Sequence, residues 1–87
     1  MKHWYRAVMF RGHEGARKQA EVVAYVFAES PVEVRDKLII MPAVKGRYKS
    51  IRRLSEDQSK RLERDIDHEA RISLEEARRT WYYPEIT

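Results

Sequence analysis

Ser30-Pro31 at one end and Pro42 at the other bracket the stretch SPVEVRDKLIIM, and no other feature of the chain limits its fold as tightly. Ser30 suits a helix N-cap, and Pro31 fits the first helical position, where a missing N–H has no partner to lose. Glu33 stands three residues after the cap and completes a capping box. Pro42 ends the helix, because a residue preceding proline disfavours the α region. The helix predicted over Ser30 to Met41 puts Val34, Leu38 and Met41 on one face, with Ile39 beside them.

Before this helix, His3 to Arg11 reads as a strand. Trp4, Tyr5, Val8 and Phe10 have high β-propensity, and Gly12 ends the run. Trp4, Arg6, Val8 and Phe10 alternate with Tyr5, Ala7, Met9 and Arg11, and neither row is plainly polar. Such a strand is either covered on both sides or presents its second face to a partner. Gly12 to Gly15 marks a turn, so Gln19 to Ala28 returns as a hairpin partner. Ala20, Val22, Ala24, Val26 and Ala28 form a small row; Glu21, Val23, Tyr25 and Phe27 form a large one. The small row would let a helix approach closely and so lie beneath helix 30–41. The alternative turns the large row to the core.

After the helix, Arg47 to Leu54 is a third strand and the least apolar, as suits a sheet edge where Lys and Arg discourage stray pairing. Ser55 with Gln58 is a second capping box. Leu62, Ile66, Ala70, Leu74, Ala77 and Trp81 then follow at helical spacing as a narrow apolar stripe. Ser73 with Glu76 is a third cap, so a break near Ile72 is predicted. Trp81-Tyr82-Tyr83-Pro84 ends the segment. The expectation is an α+β domain spanning 1–87, with a small three-stranded antiparallel-type sheet and two helices in the order β-β-α-β-α.

The charge is bipolar. Residues 1–54 hold twelve Lys/Arg against five Asp/Glu, whereas residues 55–87 hold six against nine. The basic ββαβ part favours an anionic partner, and the acidic helical part does not. Several chemistries lack their residues. With no cysteine there is no disulfide, thiolate zinc site or cysteine nucleophile. The three histidines show no paired metal spacing; Asp65 and His68 would share a helix face, but two ligands do not close a site. Three of the five serines are accounted for as caps, and no GxSxG elbow occurs. Gly12 and Gly15 do not belong to a P-loop. The chain is therefore expected to be non-enzymatic, without metal or cofactor. No apolar run approaches the roughly 18 residues of a membrane span, and the charged, aromatic N-terminus is unlike a signal peptide. A cytoplasmic location is expected.

Two binding readings remain. Lys45, Arg47, Lys49, Arg52 and Arg53 fall within nine residues without an acid, and Tyr48 is interleaved. Arg11, Arg17 and Lys18 add a second patch around the hairpin loop. Basic rows with an aromatic neutralise phosphates and stack bases, so nucleic acid is the first expected partner. The alternative is a protein-interaction, inhibitor or adaptor module, including a homodimer. It would use the stripe Leu62, Ile66, Ala70, Leu74 and Trp81 with the tail residues Tyr82 and Tyr83. A stripe packed on its own sheet explains the same pattern without a partner.

Overall fold

A computed structural model describes residues 1–11, 20–41, 48–69 and 71–84. The elements are β1 (His3–Arg11), β2 (Ala20–Ala28), α1 (Pro31–Ile40), β3 (Tyr48–Arg53), α2 (Glu56–Glu69) and α3 (Leu74–Arg79). β1 is the middle strand. β2 pairs antiparallel along its full length, from His3 opposite Ala28 to Arg11 opposite Ala20, and β3 pairs antiparallel on its other edge. The expected α+β class and element order are found, with one refinement: the C-terminal helical segment is two helices. Ser73 starts the second, its Oγ accepting from the Glu76 N–H at 3.1 Å. Ser55 and Gln58 start α2 with a reciprocal capping box at 3.0 and 3.2 Å. At α1 the box is displaced. Ser30 Oγ accepts from the Glu33 N–H, but the Glu33 carboxylate reaches past the cap to the Glu29 N–H at 2.9 Å.

Both faces of the sheet are covered. On one face Tyr5, Ala7 and Met9 of β1 join Val22, Ala24, Val26 and Ala28 of β2 beneath Val34 and Leu38 of α1 and its C-cap residue Met41. The small row therefore lies under the helix, and its alanines leave room for the helix backbone to come close. The large row faces the other way: Tyr25 and Phe27 pack around a second core of Trp4, Leu54, Leu62, Ile66 and Ala77, built with α2 and α3. Ile39 is not part of the α1 core. It is 63 % exposed, on the outer side of the helix.

The two layers are tied by polar contacts at the end of the sheet that carries Trp4 and Phe27. Glu63 of α2 accepts from the Trp4 indole N–H at 3.3 Å and from Arg78 of α3 at Nε (3.0 Å) and Nη2, all at one carboxylate oxygen. The Arg78 guanidinium lies 5.3 Å from the centre of the Phe27 ring, a cation–π contact, and Phe27 packs 5.1 Å from Trp4. On the α1 side, Lys37 Nζ donates to the Phe27 carbonyl at 3.2 Å and to the carbonyls of Arg79 and Thr80 at the C-terminal end of α3. Burial pushes the Lys37 ammonium below the ordinary lysine range. Beyond α3 the chain bonds to the free edge of β2: Tyr25 and Tyr82 exchange both backbone hydrogen bonds at 2.8 Å. Among the described residues no helix is long and apolar enough to cross a membrane.

The Glu63 carboxylate serves Trp4, which is 1 % exposed, so its removal leaves a buried donor unpaired. Glu63→Ala is expected to cost about 1–3 kcal/mol in urea denaturation, while Glu63→Gln, which keeps an acceptor for the indole, costs less. Equal losses for the two variants would mean that the ion pair with Arg78, and not the indole bond, carries the effect.

Candidate functional site

Along the α2 face of the sheet the side chains stand in rungs. Phe27, Trp4 and Leu54 form the first, and α2 lies over it through Leu62 and Ile66. The next rung is Tyr25, Arg6 and Arg52, set by Arg6 standing opposite Tyr25 on one side and Arg52 on the other. Val23, Val8 and Ser50 follow. Gln58, Arg61 and Asp65 lie three and four residues apart, so they share one flank of α2, and that flank overhangs the second rung. Between helix and rung is a cleft of about 240 Å³ that touches all three, with Leu54 and Leu62 at its inner end.

The cleft concentrates cations. Arg6, Arg52 and Arg61 reach it from three different elements, and Asp65 is the one carboxylate among the described residues of its lining. None of the three guanidiniums pairs with a described acid. Arg6 is half-buried in the middle of the central strand, directly opposite Arg52. Like charges facing each other across strands repel, so folding alone gives no reason for this pair. Guanidinium forks match the oxygens of a phosphate, and an anion seated among them would turn the repulsion into attraction. Tyr25 forms an aromatic wall of the cleft, its ring stacked on Tyr82 with centres 6.3 Å apart and planes 25° apart. Gln58 adds a side-chain amide; its Oε1 is engaged by the Ser55 N–H, which leaves the NH₂ group as a donor.

The described members of the basic set singled out in the sequence do not share one face. Arg52 is in the cleft. Arg53 stands opposite Tyr5, on the side of α1. The strict alternation expected of β3 fails at an irregularity between Val8 and Met9, where Ser50 is opposite Val8 but Tyr48 is opposite Met9, leaving Lys49 as an extra residue. Tyr48 thereby joins the Met9 side, away from Arg52, and is 39 % exposed. Lys49 is engaged with Glu21 at 2.9 Å in an exposed ion pair. Arg11 pairs with Ala20 at the far end of β1. Lys45, Arg47, Arg17 and Lys18 lie outside the described residues, as does Ala70.

The stripe read as an interface is largely used inside the chain. Leu62 and Ile66 are buried in the second core, with Leu74 and Tyr82 packed against it, while Trp81 packs against the first core under α1. Tyr83 is 40 % exposed. Arg6 and Arg61 were not among the residues singled out. Their signals were a lone charge inside an otherwise apolar strand and a helical spacing shared with Gln58 and Asp65. Among the described residues no three of His, Asp and Glu come together. No family model, curated protein or solved structure matches this chain.

If Arg6 and Arg52 repel, relieving the pair stabilises the fold. Arg52→Gln is expected to raise the unfolding free energy by about 0.5 kcal/mol at low salt. The gain should shrink at high salt, where the repulsion is screened. A loss of stability at both salt concentrations would show that the facing arginines are not in net repulsion.

Proposed function

We propose that this protein binds single-stranded nucleic acid, with the Arg6–Arg52–Arg61 cleft holding the phosphodiester backbone. The observation that carries the reading is the convergence on one concave site of three arginines that have no acid partner among the described residues. Nothing in the packing of the core calls for that cluster, and an anion would relieve its repulsion. A narrow cleft between helix and sheet suits one flexible strand better than the two phosphate rails of a duplex. Tyr25 offers an aromatic surface beside the phosphates, and aromatics on a sheet face combined with a basic groove are a recurrent way of holding single strands without strict sequence preference. Exposed Lys60 and Arg64 on α2, the helix that overhangs the cleft, add to the positive charge near it. The role assigned is binding, not catalysis: among the described residues the cleft is lined by a single carboxylate and no histidine. The cytoplasm is the setting we propose for such a partner.

Fluorescence anisotropy with labelled 12-mers of single-stranded RNA, single-stranded DNA and duplex DNA, at 50 and 200 mM salt, tests the proposal. Single strands should bind more tightly than duplex. The affinity should fall steeply with salt, by a slope of about 0.7 per phosphate neutralised. Replacing Arg6 and Arg61 with Gln together should weaken binding by about tenfold or more and reduce that slope, while Lys49→Gln, already engaged with Glu21, should change little. Absence of binding at 50 mM salt, or binding that ignores the cleft variants, would overturn the assignment.

A further inference from the structure

The outer face of α1 is apolar and uncovered. Val32, Ile39 and Ile40 are 62, 63 and 70 % exposed, although the same helix already buries Val34 and Leu38 on its inner face. Between the apolar residues stand Arg35 and Asp36. Both are exposed, and neither pairs with a described residue.

Helical geometry arranges these residues in a particular way. Val32 and Ile39 are two turns apart and lie almost in line along the helix, about 20° from each other. Arg35 and Asp36 sit midway between them in height, about 50° to either side of that line. The face is thus an apolar seam with one cation on its left flank and one anion on its right. It carries no net charge, so it offers nothing to a polyanion or to an anionic membrane surface.

We infer that this face pairs with a second copy of the chain, α1 against α1, with the two helices parallel and the two-fold axis running along them. That symmetry brings each flank of one helix against the opposite flank of the other. Val32 meets the partner's Val32 and Ile39 meets the partner's Ile39 on the axis. Arg35 meets the partner's Asp36, and Asp36 meets the partner's Arg35, so both charges are matched by one symmetry operation. An antiparallel pairing joins like flanks, placing Arg35 beside the partner's Arg35 and Asp36 beside the partner's Asp36. The charge order therefore selects the parallel form. Two helices about 15 Å long bury less than the roughly 1,200 Å² of a standard interface, so the dimer is a reversible one. α1 lies on the face of the sheet opposite the arginine cleft, and pairing leaves both clefts open.

Analytical ultracentrifugation over a wide concentration range, with circular dichroism to verify folding, gives the first test. The wild-type chain should show a concentration-dependent monomer–dimer equilibrium. Arg35→Asp alone and Asp36→Arg alone should each weaken it by about tenfold or more, because every flank contact becomes a like-charge pair. An equimolar mixture of the two variants should dimerise again, as should the double variant R35D/D36R. Because the chain has no cysteine, orientation is readable by oxidation. Val32→Cys alone and Ile39→Cys alone should each form a disulfide-linked dimer, since a residue on the axis faces its own copy, while Lys60→Cys on α2 should not. A monomer at every concentration overturns the inference. So does dimerisation indifferent to both charge variants, or cross-linking seen only when the Val32→Cys and Ile39→Cys chains are mixed.

Discussion

β1 is paired on both edges and covered on both faces, and the rest of the molecule is built to satisfy that one strand. A three-stranded sheet closed on both sides needs apolar residues in both rows of its strands, and β1 and β2 supply them. It also needs two covering layers from a short chain. α1 provides one by itself, because the alanines of β2 let it sit close. The other is shared: α2 contributes Leu62 and Ile66, α3 contributes Ala77, and the segment after α3 contributes Tyr82. Sharing explains why the apolar stripe of the C-terminal segment is so narrow. No single element has to cover the face.

A layer assembled from pieces needs to be held in register, and two polar anchors do this from opposite sides of the sheet. Glu63 joins α2, α3 and β1 through one carboxylate, and Lys37 reaches from α1 to the end of α3 and to β2. α3 has only six residues, too few to be stable alone. Its place depends on these contacts, and through α3 so does the path of the aromatic segment beyond.

Much of the architecture was legible because it depends on local signals. The three serine caps, the proline bracket and the alternation of β1 and β2 act within a few residues, and they gave the element order and the break before α3. What was not legible depends on register. A run of basic residues on β3 looks like a continuous patch, but one extra residue at Lys49 moves Tyr48 to the other face and leaves Arg52 as the member that enters the cleft. Arg6 is visible as an anomaly in its strand, yet only strand pairing shows that it confronts a second arginine. Arg61 looks like any surface residue of a charged helix until α2 is placed over the sheet. Ile39, read as lying beside the apolar face of the helix, is exposed on its outer side, because an apolar residue carries no label for the side it faces.

Tyr82 has a role that the packing alone does not express. β2 reads AEVVAYVFA, with strong β-propensity, and it lies at the edge of the sheet. A strand of that kind, left open, is a template for pairing with other chains. The two hydrogen bonds between Tyr25 and Tyr82 occupy the middle of that edge, and they are the last step in a sequence of contacts that runs from α2 through Glu63 and Arg78 to the end of α3. Loss of the Glu63 anchor therefore does more than lower the stability of a helix. It unfastens the guard on an edge strand of high β-propensity, so exposure of that edge and fold stability are tied to the same few residues.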